Sequence, residues 1–468
     1  MGKMSSVSRG LLALIISSAA MLVAAFLAAS AGADSGEREY VLIAREESLP
    51  PGLQQRVEEA GGTVVDAIPE IGAAVVRSGD AGFAERASGI RGVRAVVPDI
   101  EIRWIEPEHR GVAARIGDPP ASGAEDPYFD LQWGHAAVDA VRAWAAGGRG
   151  AGVRVAVLDS GIDRQHPDLA PNLNEELSAS FVPGEDYYVR PGVYFNHGTH
   201  VAGTLAAAEN GEGVIGVAPE AEIVAVKVLS EFTGSGTFSG VAQGIVYAAN
   251  IDSDIINMSL GGVLPSRGGY CVEGDCVSAR EISELVNLMK RATGYAYREG
   301  TTIIASAGNS SFDRDRDGSQ TVLPADLPNV ISISATGPNG WALDPDTDLD
   351  LPAFYTNYGR SAIDLAAPGG NVDSNLRESG RVCTVAGVTD ECWRFDLVYS
   401  AISGGWGWAA GTSMAAPHAS GVAAIVIARN GGQMHPSQVE TALRRSADDL
   451  GEPGRDPYYG HGRVNAAR

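Results

Sequence analysis

At 468 residues the chain is too long for one typical domain, and 44% hydrophobic residues with 59 glycines suit a loop-rich globular α/β protein rather than a fibre or a disordered polymer. A formal net charge of −23 repels nucleic acid and anionic lipid, so neither is an expected partner. It favours solubility and cation binding.

Residues 1–33 have the organisation of an export signal: Lys3 and Arg9, an apolar run from Leu11 to Ala29, then Ala31-Gly32-Ala33 as a small-residue cleavage site. An uncleaved anchor is the alternative, because a run of this length is borderline for spanning a bilayer. Residues 34–105 alternate strand-like and helix-like stretches, with strands at Tyr40 to Arg45, Thr63 to Ala67, Ile71 to Arg77 and Val93 to Pro98, and helices at Leu53 to Ala60 and Phe83 to Ser88. That β-α-β-β-α-β order is the ferredoxin-like arrangement of a small α+β domain. Residues 106–125, rich in Pro, Gly, Ala and charge without periodicity, read as an exposed, cleavable linker.

From residue 126 to 468 apolar strands alternate with helical stretches: "VRVAVLD", a helix opening at "HGTHVAG", "EIVAVKVL", a helix from Thr237 to Asn250, "DIINMSL", a helix within Glu281 to Glu299, "TTIIASAG", "VISISAT", "IDLAAPG" and two last helices within Ser413 to Arg444. Strands that are apolar throughout imply a mostly parallel sheet covered on both faces, a three-layer α/β fold. In such sheets the working site lies beyond the carboxyl ends of the strands. Four cysteines fall in two close pairs, Cys271 with Cys276 and Cys383 with Cys392, which after export are expected to form small surface disulfides, with connectivity left open.

Asp159 ends a strand in "AVLDSGID", His197 opens a helix in "NHGTHVAGT" and Ser413 opens another in "GTSMAAPH". A hydroxyl nucleophile needs a neutral imidazole to take its proton, and the imidazole needs a carboxylate to fix its tautomer. The order Asp, His, Ser in these three extended blocks resembles the subtilisin family of serine proteases, over a match from about Asp126 to the chain end. That resemblance implies a secreted serine endopeptidase made as a self-processing zymogen. Of the two histidines in "HGTH" it assigns the base to His197 and leaves His200 a packing role, as for His166 and His418.

The resemblance further implies Asn309 as an oxyanion donor beside the backbone N–H of Ser413. It places an extended peptide substrate between Gly234-Ser235-Gly236 and Ser259-Leu260-Gly261, with Ser306-Ala307-Gly308 and the region of Val322 completing a shallow main specificity pocket suited to small or medium apolar side chains. A structural calcium is implied, held by Asp126, Asp168 and Asn210 with carbonyls of Ala208, Glu212 and Val214, a ligand set like that of thermitase-like members. A weaker cation site would use Asp364 with carbonyls near Ala325, Leu327 and Val330. "DRDRDGS", with Asp313, Asp315 and Asp317, imitates half an EF-hand loop, but Pro324 stands where the closing glutamate belongs. The small domain corresponds to the inhibitory propeptide, cleaved between Ile105 and Asp126. The implied partners are peptide and protein substrates and the chain's own propeptide, the enzyme otherwise a monomer without stable membrane association.

Overall fold

Alternation along single strands decides the layering. In Arg154–Asp159, Val155 and Val157 project into one buried cluster while Ala156 and Leu158 project into another, as a period of two requires. Thr302–Ser306 divides in the same way, Ile304 to the first cluster and Ile303 and Ala305 to the second. Helices His197–Ala206 and Thr412–Arg429 close the first cluster, and Phe238–Asn250 and Ala279–Glu299 close the second. The computed structural model describes residues 36–105, 126–190, 196–272 and 275–468. The expected export signal and linker lie outside them.

Seven strands form the central sheet in the order 365–368, 330–336, 302–306, 255–258, 154–159, 222–227, 179–180. Every adjacent pair is parallel. The result is the three-layer α/β fold that the apolar strands imply. Helix starts follow local chemistry: the side chains of Asn196 and Thr237 accept from the N–H of Thr199 and Gly240, and Ser278 with Glu281 makes a reciprocal capping box.

The N-terminal unit is a four-stranded antiparallel sheet in the order 63–68, 73–78, 38–44, 93–98, with helices Leu53–Glu59 and Phe83–Ser88. This is the ferredoxin-like topology. One face, with Tyr40, Leu42 and Val76, packs on its own helices through Val57 and Phe83. The other, with Val41, Ile43, Ala73 and Val97, joins the cluster built by the helices at 238–250 and 279–299. That sheet therefore relies on the larger unit to cover half of its apolar surface.

The sequence reading missed the short antiparallel ribbons: 262–265 with 320–323, 270–272 with 275–277, 382–385 with 388–391, and 398–402 with 405–409. The sulfurs of Cys271 and Cys276, and of Cys383 and Cys392, lie at bonding distance in and beside two of these ribbons. Among the described residues no helix is long and apolar enough to cross a membrane.

Candidate active site

Asp159 is the last residue of its strand and His197 the first of its helix. The His197 Nδ1 lies 2.9 Å from both carboxylate oxygens of Asp159. A carboxylate only accepts, so Nδ1 carries the proton and Nε2 is left with a lone pair. Asn196 and Ser160 hold this corner: Asn196 Nδ2 donates to Ser160 Oγ at 3.0 Å, and the same oxygen accepts from the Gly198 N–H at 3.2 Å. Asp159 Oδ1 also accepts from the Ser160 N–H at 2.7 Å.

Ser413 sits in the first turn of Thr412–Arg429 and shares one pocket with His197, Asn309, Gly261, Ser306, Gly308 and Val322. Asn309 has its Oδ1 taken by two donors, the N–H and the hydroxyl of Thr412, both at 2.8 Å. That fixes the sense of the amide and leaves Nδ2 as its free donating end. Gly308 precedes it at φ 99°, where a Cβ would collide with the Asn357 amide. Only glycine suits both the left-handed backbone and the close approach. Thr412 and Asn357, which hold Asn309 and crowd Gly308, were not singled out by the sequence reading; Thr412 adjoins Ser413, which was the available signal.

The implied substrate residues divide by what they present. Ser259 is fully buried and its hydroxyl donates to the Ser413 carbonyl at 2.7 Å. Leu260 and Ala307 point into the interior, while Gly261, Ser306 and Gly308 face the pocket. Along the cleft the chain supplies its own strand. Glu101–Arg103 pairs antiparallel with Ser235–Thr237, the Trp104 N–H donates to the Gly234 carbonyl at 3.0 Å, and the Gly261 N–H donates to the Trp104 carbonyl at 2.9 Å. Trp104 and Ile105 thus reach the pocket shared by His197 and Ser413. Both edges named from sequence are used.

Three further histidines contact backbone carbonyls. Burial pushes His200 down to about 3, and its Nε2 faces the carbonyls of Val398 and Gly407. His418, pushed down by burial to about 4, contacts the Met414 carbonyl through Nδ1 at 2.8 Å, and His166 contacts that of Gly405 at 2.8 Å.

The residues implied for calcium do meet. Asp126 Oδ1 accepts from the N–H groups of Asn210 and Gly211, and Asp168 Oδ2 accepts from Val214 N–H and Trp406 Nε1. The opposite oxygens, Asp126 Oδ2 and Asp168 Oδ1, are buried without a partner among the described residues. Burial raises Asp168 to about 7, and the nearby Asp126 adds to it. Two half-satisfied carboxylates beside an amide and a carbonyl-bearing loop are a donor set that fits a hard cation. Among the described residues no three His, Cys, Asp or Glu side chains converge as a metal cluster, so such a site depends on its carbonyls.

The second cation reading fails. Asp364 Oδ1 is paired with Arg444 at 2.9 Å and Arg455 at 3.4 Å, and its Oδ2 accepts from the Ser332 N–H. Its charge is already matched. In the EF-hand-like loop, Asp315 accepts from the distant Ser361 and Arg360, tying the loop to that segment, and Asp317 accepts from Ser319 within it, so both carboxylates already have protein donors.

Comparison with known proteins supplies an independent line. Residues 150–462 match the subtilase family, Peptidase_S8. The chain is 35% identical over 336 residues to Subtilisin Savinase of Lederbergia lenta, covering 72% of this chain and 97% of that one. It is 31% identical to Thermitase of Thermoactinomyces vulgaris over 73% and 96% of the two chains. With Subtilisin NAT of Bacillus subtilis subsp. natto the match is 30% over 447 residues, 94% of this chain and 92% of the relative, so it takes in the N-terminal unit as well. Among solved structures, the epidermin leader peptide processing protease EpiP of Staphylococcus aureus superposes with a TM-score of 0.70 at 20% identity, over 92% and 97% of the two chains. Fervidolysin of Fervidobacterium pennivorans does so with 0.65 at 24%, over 92% and 60%. At those identities the likeness speaks for the fold alone.

Proposed function

Because the chain belongs to the subtilase family and is a subtilisin-type serine peptidase, we propose that it is a secreted endopeptidase made as a zymogen, with Asp159, His197 and Ser413 as its triad. His197 Nε2 takes the proton of the Ser413 hydroxyl as the oxygen attacks the peptide carbonyl carbon. Asp159, at 2.9 Å from Nδ1, stabilises the imidazolium that forms. The imidazolium then gives the proton to the leaving amine, and water repeats the sequence to release the acyl group. Asn309 Nδ2 and the Ser413 N–H meet the oxyanion; a donor of this kind is worth about 2.7 to 4 kcal/mol.

One observation carries the zymogen reading: residues 101–105 lie as an extended segment between the two edges of the cleft and end beside His197 and Ser413. The N-terminal unit is then an inhibitory propeptide that fills the cleft until cleavage after Ile105 and before Asp126. Residues 1–33 act as the export signal, the cysteine pairs are disulfides, and the enzyme works as a monomer. Calcium is a structural ion at Asp126, Asp168 and Asn210; it supplies charge balance and ties the loop at 208–214 to the body. Nothing in the chemistry of peptide cleavage passes through it.

The test compares wild type with Ser413→Ala. Wild type should digest casein, lose activity to a serine-directed phosphonylating reagent, and show a new N-terminus between Glu106 and Asp126. The variant should accumulate at full zymogen length. Processing of Ser413→Ala at the same bond in the absence of another protease would defeat the reading.

A further inference from the structure

Among the described residues Trp104 is the largest fully buried side chain outside any strand or helix, with 2% of its surface exposed, although it belongs to a tail that a zymogen must give up. Its ring lies tilted on Phe238 at 5.2 Å between centroids, and its Nε1–H donates to the Gly236 carbonyl at 3.0 Å. Gly262 supplies the remaining space. A Cβ there would stand 2.6 Å from Ile102 and 3.0 Å from the Trp104 ring. The chamber has an aromatic wall, an opening left by a missing side chain and one aimed acceptor. An indole fits all three features; a phenyl ring fits two, and an aliphatic side chain fits one.

Resting on the protease reading above, we propose that this chamber becomes, once the tail has left, a substrate subsite selective for an indole, so that the enzyme favours peptides carrying tryptophan on the acyl side of the cleaved bond. The residue recognised is the one whose carbonyl accepts from the Gly261 N–H, as that of Trp104 does. The ring alone would be held by apolar burial, and the acceptor adds discrimination. A bound ring that covers this carbonyl without donating to it leaves the carbonyl unsatisfied, so such a side chain is disfavoured beyond its loss of contact. The tail Ile102-Arg103-Trp104-Ile105 thus shows the sequence that the cleft takes.

The experiment uses the mature enzyme and internally quenched peptides built on Ile-Arg-Xaa-Ile-Glu, with Xaa as Trp, benzothienylalanine, Phe or Ala. Benzothienylalanine keeps the bicyclic shape and replaces the N–H with sulfur. Expected kcat/KM ratios are about 2- to 12-fold for Trp over benzothienylalanine, the range of one net hydrogen bond. For Trp over Ala they are at least about 10-fold, from ring burial. Cleavage should fall at one fixed offset on the carboxyl side of Xaa. In Gly262→Val the ratio of Trp to Ala should collapse toward one. Equal rates for Trp and benzothienylalanine would overturn the acceptor's role, and equal rates for Trp and Ala would overturn the subsite. Casein is the control: if it is digested while the peptide series is flat, only this proposal fails. If neither is cut, the protease reading fails first.

Discussion

Arg291 should decide how tightly the N-terminal unit holds the enzyme. It projects from the helix Ala279–Glu299 and donates to four backbone carbonyls of that unit: Ala44 at 2.9 Å, Arg45 at 3.3 Å, and Glu46 and Ile71 at 3.1 Å. Burial pulls its pKa below the usual guanidinium value, the mark of a cation that has left water for these carbonyls. Charge-assisted bonds contribute about 1.5 to 3 kcal/mol each, but four that share one side chain do not add. We set the loss on Arg291→Met at about 2 to 4 kcal/mol, or roughly 30- to 700-fold in the inhibition constant. The assay adds residues 36–105 to mature wild type or variant and follows hydrolysis of a small chromogenic peptide. Catalysis without inhibitor should be unchanged, because Arg291 does not line the pocket of His197 and Ser413. Arg298, whose pair with Glu47 is half-exposed on both sides, is the comparison; Arg298→Ala should cost at most about 1 kcal/mol. If Arg291→Met weakens inhibition no more than Arg298→Ala does, the anchoring argument is wrong.

Other consequences can be measured on the mature enzyme. Asn309→Ala should lower kcat by about 10²- to 10³-fold with KM little changed, and a loss under tenfold would remove Asn309 from the oxyanion site. Chelation should lower the melting temperature of wild type. Asp168→Asn should remove that calcium dependence, whereas the same calcium-induced shift in both proteins would place the ion elsewhere. Acid should destabilise the fold through buried histidines: burial lowers His135 and His200 to about 3 and His418 to about 4. A lowered folded pKa means that the unfolded chain binds protons first, so stability is full above about pH 6.5 and falls as pH drops toward those values. At about pH 5 the three together cost on the order of 6 kcal/mol, offset by about 2.7 kcal/mol from Asp99 and Asp396, both of which burial raises to about 6. Urea unfolding of Ser413→Ala, with calcium present, should show this slope, and a flat profile between about pH 7 and 5 would contradict it.

Much of this was legible in the sequence because the informative signals are local. "VRVAVLD" and "TTIIASAG" are buried on both faces and so carry apolar runs, Val155 to Leu158 and Ile303 to Ala305, with no polar alternation, and the caps at Asn196, Thr237 and Ser278 mark where helices begin. Asp159, His197 and Ser413 each stand at such a boundary, where short-range rules place a residue well. Where the reading failed, the reason is distance along the chain. Asp364 was implied as a cation ligand by the family resemblance alone, but Arg444 and Arg455, 80 and 91 residues away, pair with it. Nothing local to Asp364 announces them.

The same limit explains why the tail at 101–105 looked unremarkable. Its partners at 234–237 and 261 are more than a hundred residues downstream, and a three-residue strand has no periodicity to detect. On the proposal made above, that tail is a record of what the cleft prefers. Glycines 236 and 262, taken alone, mark only turns and close approaches; set against Trp104 they describe the shape and polarity of a binding chamber. A segment that must occupy a protease's cleft and then leave it is constrained to resemble a substrate along the backbone, since the same edge carbonyls and N–H groups hold both. Its side chains are constrained only where the cleft has walls. Trp104 is enclosed whereas Glu101 and Arg103, the alternate residues beside it, face solvent, so the selectivity of this segment is concentrated at the positions that turn inward.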